Sequence, residues 1–403
     1  MLAWPAFRKR DANPHAALLC ERLRDLGVAV DDWTPARAAL RAVDLWHLHH
    51  PESVVYLRSR LRSTLTTLAF CALLALARAR GTRILWTVHD LGSHDRLHPT
   101  LEAWFWPFFV SRVDAYVCLS EGGPRLARER FPGLRGRPGF TVPHGHYRDA
   151  YPNQVSRAQA RRALGLPEQA RVLLHFGLVR PYKNVPHLIR TFRELPQSEA
   201  VLLVAGKPYD AIVEREVRLS AEGCPRVRLL LRWISPAEVQ HLFVASDLVV
   251  LPYRHILNSG TVFLALSFGR PVLVPDKGAM REQRKRFGPE WVRLYAGDLC
   301  ARPGRSDGVG HRHPASRTAR FRGARLAEPG REDLRHLPGR ARRRRSPAHA
   351  AAGHEPGGWH GDAGAVGGSA AVRAGRGMKL RKPDPPIFGG AWPEGECTAG
   401  PSV

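Results

Sequence analysis

FGLVRPYKNVPHLIRTF, residues 176–192, reads as the end of a strand, a glycine turn at Gly177, two basic residues and the first turns of a helix. Arg180 and Lys183 stand where the unpaired amides of a helix start also point, so three sources of positive potential meet at one place. Basic groups at a helix N-terminus are locally unfavourable and need an anion to justify them. A diphosphate suits a guanidinium, an ammonium and free amides together. The stretch just ahead, ARVLLHF, is apolar enough to be a strand buried on both faces, which points to a parallel sheet covered by helices.

The same rhythm extends in both directions. Upstream, Leu2–Trp4, VAVDDW, VDLWHLH (43–49), TRILWTVHD, Asp114–Leu119 and FTVP (140–143) are strand candidates. A helix is expected from Pro14 to about Leu26, with Asn13 as its cap and Gly27 as its stop, and a long one over 57–80. Ser120 is a candidate cap after the fifth strand. Downstream of the polar section 144–169, which carries a short helix near 157–164, come ARVLLHFG, a helix over 185–195, AVLLVAG, VRLLL, DLVVLPY, a helix over 261–268, PVLVP and 291–295. Ser235-Pro236-Ala237-Glu238 has the pattern of a capping box. These elements make two open α/β domains facing one another, residues 1–150 and 151–300. Ligands of such sheets bind beyond the carboxyl ends of the strands. That places His47, His49, His89, Asp90, His144, Gly145, Gly177, Arg180, Gly206, Lys207, Tyr253 and Pro275 among the candidates.

Asn258-Ser259-Gly260-Thr261 is a second phosphate-compatible turn, with free amides and two hydroxyls at a helix start. His89, at a strand end, is placed to act as a base or to orient a sugar hydroxyl, because imidazole titrates nearest neutrality. His47 and His49 share one strand face with His50 beside them, but no further ligand type follows at a zinc-like spacing, and no metal is expected. Glu52 and Asp90 are carboxylates suited to sugar hydroxyls. LEAWFWPFFV (101–110) concentrates five aromatics, read as core or interface packing, or as an amphipathic edge resting on lipid beside Arg58, Arg60 and Arg62.

The 403-residue chain carries a formal charge of +26, of which +10 falls in residues 301–403 together with 19 of its 37 glycines. With few large apolar residues, that tail is expected to be disordered, and it reads like a shifted reading frame of a GC-rich gene. The second domain is therefore expected to be truncated. Arg342–Arg345 has no interleaved aromatics, so specific nucleic-acid binding is not expected. Six widely spaced cysteines, with Cys71 and Cys118 in apolar runs, suit buried thiols and a reducing compartment. The opening MLAWPAFRKRD lacks the order of a secretory signal. The uncharged run Ser63–Ala77 is short for a bilayer span. The expectation is a cytoplasmic protein with room for peripheral contact at the inner membrane face.

AWPAFRKRDANPHAALL, LWHLHHPE, ILWTVHD, TVPHGHYRDAYPN, LLHFGLVRPYKNVPHLI and PYRHILNSGTVFLALSFGRPVLVPDKGAMRE together resemble a GT-B glycosyltransferase. The resemblance covers residues 1–300 and is to the large retaining group, family 4-like, that includes bacterial mannosyl- and glucosyltransferases of surface polysaccharide synthesis. It implies transfer of a hexose from a UDP-, GDP- or ADP-sugar to a glycan or lipid-linked acceptor, without a metal or other cofactor. It assigns the donor diphosphate to Gly177, Arg180 and Lys183, and the phosphate-facing helix start to Ser259, Gly260 and Thr261. It puts His89 at the sugar end, and Pro275–Glu282, with Glu282, at sugar and nucleotide. Two departures stand out: Ile256 and Leu264 occupy the places of a usual glutamate pair, and the first loop, FRKRDANPH, has no glycine. An epimerase or hydrolase on the same fold, an inactive remnant, or a basic nucleic-acid-binding protein are the alternative readings.

Overall fold

A computed structural model of the chain describes residues 1–92, 97–195 and 200–300, all within one compact unit. The expectations for residues 301–403 lie outside the described residues. The first lobe runs β1 (Leu2–Trp4), α1 (His15–Asp25), β2 (Asp31–Asp32), α2 (Pro35–Leu40), β3 (Leu45–Leu48), α3 (Arg60–Ala79), β4 (Arg83–Val88), α4 (Pro99–Val110), β5 (Ala115–Cys118), α5 (Gly123–Arg130) and β6 (Gly139–Thr141). The second runs α6 (Arg157–Ala163), β7 (Arg171–Phe176), α7 (Val185–Arg193), β8 (Ala200–Ala205), α8 (Ala211–Ala221), β9 (Val227–Leu230), α9 (Pro236–Ala245), β10 (Leu248–Val250), α10 (Gly260–Ser267), β11 (Val272–Pro275), α11 (Met280–Phe287) and β12 (Val292–Tyr295).

Each lobe is built on a six-stranded sheet, ordered β2-β1-β3-β4-β5-β6 in the first and β12-β11-β10-β7-β8-β9 in the second. Every strand pairing is parallel, as the apolar runs require. The two Rossmann-like domains of the sequence reading are therefore present. Successive residues of a strand point to opposite faces, and the second sheet uses both. Val172 and Leu174 of β7 enter one core with Phe243 and Val262, while Leu173 enters the other with Ile189 and Phe192. In the first lobe Trp46, Trp86, Phe70, Phe105 and Phe109 form one dense core, and Ala3, Cys20 and Val30 form a smaller one on the far face.

Several local expectations change. Pro14, not Asn13, takes the cap position of α1, with Asn13 Oδ1 accepting from the His15 amide at 3.2 Å. Gly122, not Ser120, precedes α5. The aromatic run 101–110 is the helix α4, with Phe105, Trp106 and Phe109 buried and Trp104 exposed. At α9 the capping box forms, Glu238 Oε2 accepting from the Ser235 amide at 3.0 Å. Cys71 and Cys118 are buried free thiols. Helix α3 is long and apolar enough by composition to cross a membrane, yet a third of its apolar window is buried in the lobe.

Candidate functional site

Strand order places a crevice in each lobe. In the second sheet the order in which strands are added reverses between the parallel neighbours β7 and β10, so the loops after those strands run to opposite faces and leave a crevice between them. β7 ends at Phe176, and Gly177 follows at φ +109. Beside it, Gly206 sits at φ +149, where a Cβ would lie 2.1 Å from the Gly177 carbonyl oxygen. Only glycine permits that approach, which lets the loops after β7 and β8 pair through Val179 N to Lys207 O, 3.0 Å, and Tyr209 N to Val179 O, 2.9 Å.

Arg180 continues on extended backbone, and Pro181–Lys183 form one 3-10 turn closed by Asn184 in the left-handed region. The basic pair thus precedes α7, the order expected from the sequence, with a 3-10 turn between Arg180 and the helix. The Arg180 guanidinium lies 4.9 Å from the ring centroid of Tyr209. The Arg58 guanidinium of the first lobe lies 5.8 Å from the same ring. Lys183 is buried, with Nζ 5.3 Å from the Tyr253 ring centroid. Among the described residues no carboxylate pairs with it. Burial, and then the charge of Arg180, bring its pKa down to about 7. A Cβ at Gly177 would stand 3.1 Å from Lys183 Nζ and 3.8 Å from Thr261 Oγ1. The buried Tyr253 hydroxyl bonds to the side chains of Thr261 and Ser259. Gly177, Lys183, Ser259 and Thr261 therefore converge, as the sequence suggested, and Tyr253 holds the two hydroxyls in place.

Gly260 opens α10 against the linker. A Cβ there would meet Tyr147 Oη at 3.0 Å and His144 Nε2 at 3.7 Å. His144 stacks on Phe263 of α10 at 4.4 Å and on His15 of α1 at 4.1 Å. His15 in turn lies 5.7 Å from His89 and 6.3 Å from His49. His49 Nδ1 and His89 Nε2 share a hydrogen bond of 3.0 Å, and His47 Nε2 shares one of 2.8 Å with Thr87 Oγ1. His50 stacks on His89 at 4.5 Å and its Nδ1 donates to Glu52 Oε1 at 3.1 Å. Six imidazoles thus run from the donor-side helix start into the crevice of the first lobe. The sequence reading named most of them singly but missed His15, whose only local signal is its place at the first turn of the helix following β1.

Burial disfavours charge in this cluster. It lowers the pKa of His15 to about 3, and those of His47 and His144 to about 4. His49 and His89 are held well below the usual value, by burial first and by neighbouring imidazoles second. His50 differs: its partial enclosure works against its charge, but the Glu52 hydrogen bond, Glu52 itself and Asp90 outweigh it and raise the pKa. Among the described residues no group of His, Cys, Asp or Glu is arranged to hold a metal ion.

In the segment after β11, which the resemblance assigned to sugar and nucleotide, several side chains have partners within the protein. Asp276 is gripped by Arg281 through bonds of 2.6 and 2.8 Å, and Lys277 Nζ donates to the Arg254 carbonyl at 2.9 Å. Glu282 Oε2 accepts from the Glu121 amide of the first lobe at 2.8 Å, and burial raises its pKa. Asn258 Nδ2 likewise reaches the His89 carbonyl at 3.4 Å. These two bonds join the lobes across the crevice. The Lys207 side chain is exposed.

The family model for glycosyl transferases group 1 matches residues 170–292. The chain is 32% identical over 298 residues to a GDP-mannose:glycolipid 4-beta-D-mannosyltransferase of Xanthomonas campestris pv. campestris, covering 72% of this chain and 78% of that protein. Among solved structures, sucrose-phosphate synthase from Thermosynechococcus elongatus is 18% identical with a TM-score of 0.49, over 63% of this chain and 61% of that one. HepE from Anabaena, in complex with UDP-glucose, is 16% identical with a TM-score of 0.49, over 66% of this chain and 72% of that one.

Proposed function

The chain belongs to the GT-B glycosyltransferases, and on that premise we propose that it moves a hexose from a nucleoside diphosphate sugar to a lipid-linked glycan, with the donor diphosphate seated at Gly177, Arg180, Lys183 and the start of α10. The observation that carries this reading is Lys183, a buried amine with no acidic partner among the described residues. Burying an ammonium without a counter-anion is costly, and a diphosphate is the anion that would complete the site. Charge builds on the diphosphate as the glycosidic bond to it breaks. Arg180, Lys183 and the amides and hydroxyls of Ser259–Thr261 are fixed donors for that charge, and this is electrostatic stabilisation of the leaving group.

The named relative uses GDP-mannose and a glycolipid, and we carry both over as the donor and acceptor to test. Its 4-β linkage also bears on stereochemistry. The usual nucleoside diphosphate mannose is an α-glycosyl phosphate, so a β product requires inversion. We propose inversion in place of the retention that the sequence resemblance implies. An acceptor in a membrane suits the outer face of α3. Leu61, Leu65, Leu68 and Leu76 are all exposed there, within an arc of about 80° on a helix of 100° per residue. Arg58, Arg60 and Arg62 stand at its start, a composition suited to the surface of an anionic bilayer from the cytoplasmic side.

Calorimetric titration of the full chain with GDP, UDP and ADP tests the donor site. Arg180→Ala and Lys183→Ala are each expected to weaken diphosphate binding by ~10–100-fold, the value of a hydrogen bond to a charged group. Equal binding by parent and variants would remove the assignment.

A further inference from the structure

The crevice of the first lobe lies where its strand order switches, between the ends of β1 and β3. The chain delivers Lys9 and His15 after β1, His49, His50 and Glu52 after β3, and His89 and Asp90 after β4. His47, His49 and His89 are each bonded through one nitrogen and are largely enclosed, His47 Nδ1 and His49 Nε2 being buried without a partner among the described residues. His49 and His89 bind one another, His47 binds Thr87, and His144 Nδ1 donates to the Gly145 carbonyl at 2.7 Å. His49 is 1% exposed and His47 4%, whereas the His50 side chain is 42% exposed. The carboxylate on Nδ1 fixes the tautomer of His50 so that the lone pair lies on Nε2. The chain of rings His50–His89–His15–His144 connects this nitrogen to Gly260 and so to the donor site.

We propose that His50, oriented by Glu52, is the general base that takes the proton of the acceptor hydroxyl. The proposal rests on the inverting transfer read above, since inversion is a direct displacement that needs a base on the acceptor side. In that step the acceptor O–H proton passes to His50 Nε2 and the acceptor oxygen bonds to the anomeric carbon. The anomeric carbon–oxygen bond to the diphosphate breaks, and its electron pair leaves with the diphosphate toward Arg180 and Lys183. The proton is afterwards released to water. His89 becomes the platform under His50 and Glu52 its positioning residue. Glu52 and Asp90 face His50 as anions, Lys9 as a cation, and His15, His49 and His89 as mostly neutral rings. The carboxylates raise the basicity of His50 while its neighbours are kept uncharged.

The test uses the full chain and GDP-mannose, with consumption and product anomer followed by proton NMR and GDP affinity measured in parallel. His50→Gln is expected to lower kcat by ~10²–10⁴-fold, the usual worth of a general base, while the GDP dissociation constant stays at the parent value. Glu52→Gln is expected to move the acid limb of the kcat–pH profile to lower pH, because a carboxylate that raises the base is gone. The free or transferred mannose is expected to be β when first formed. A His50→Gln enzyme turning over near the parental rate overturns the proposal, as does the loss appearing in His89→Gln instead. A parent that consumes GDP-mannose to give the α anomer also overturns it, leaving the donor site standing. A parent that does not bind GDP removes the donor reading, and the proposal falls with it.

Discussion

The two lobes share one structural brace and differ in what they mount on it. In the first, Asp114 precedes β5, its amide bonded to the Ile84 carbonyl and its Oδ2 accepting from the Ile84 amide at 2.7 Å. In the second, Asp247 precedes β10, its amide bonded to the Val172 carbonyl and its Oδ2 accepting from the Val172 amide at 2.7 Å. Each aspartate ties a pair of neighbouring strands at their amino ends and collects two arginines, Arg78 and Arg83 in one, Arg157 and Arg161 in the other. At the opposite, carboxyl ends the lobes diverge. The second presents Arg180 and the buried Lys183 beside Gly177, Lys183 having no carboxylate partner among the described residues, and the first presents imidazoles and carboxylates. The repeated brace positions the strands, and the loops beyond them divide the labour between a leaving diphosphate and an acceptor hydroxyl.

Acid should break the symmetry most. A histidine whose folded pKa is depressed binds fewer protons folded than unfolded between that pKa and about 6.5, so stability falls as pH drops through this window. His15, His47, His49 and His89 all lie in the first lobe, and His50, shifted upward, contributes oppositely. In the second lobe His175, brought down to about 3 by burial and then by Lys183, carries such a shift. A tenfold loss of proton affinity on folding corresponds to about 1.4 kcal/mol, so the first lobe should lose several kcal/mol between about pH 6.5 and 4. Hydrogen exchange resolved by lobe is expected to show it opening first. Simultaneous opening would mean that the lobes form one cooperative unit.

The braces themselves come next. Arg161 is 2% exposed, bonds Asp247 at 3.0 Å and, among the described residues, otherwise donates only to backbone carbonyls, so Asp247→Ala leaves a buried guanidinium without its counter-charge and should cost about 3–5 kcal/mol. Asp114 holds arginines that are 31% and 70% exposed, and Asp114→Ala should cost about 1–2 kcal/mol, chiefly through the orphaned Ile84 amide. Denaturant unfolding of both variants checks the ratio. Equal losses would show that the buried arginine finds another partner.

Much of this was legible because it is local. The strands announced themselves as apolar runs, and Gly177, Arg180 and Lys183 fall within eight residues of a strand end. Helices α8 and α11 were not named, although α8 carries Val213 and Val217 four residues apart on its buried face. In α11, MREQRKRF, only Met280 and Phe287 are apolar and the buried Gln283 completes its inner face, so its signal is faint. The stack of His15 on His144 joins residues far apart in sequence, and no spacing rule reports such a contact. The resemblance, not the local sequence, assigned Glu282 to sugar and nucleotide. Its bond to the Glu121 amide depends on how two lobes meet.

The central claim is that Lys183 waits for a diphosphate. Its amine, at about 7 when buried alone, should be driven back to the charged form when an anion arrives, so binding above that pH must take up a proton. Calorimetry of GDP binding at pH 8 in two buffers of different ionisation enthalpy measures this directly. The expected result is uptake of close to one proton per GDP bound, affinity that declines as pH rises above about 7, and loss of the uptake in Lys183→Met. Binding without proton uptake at pH 8, or uptake unchanged in Lys183→Met, would contradict it.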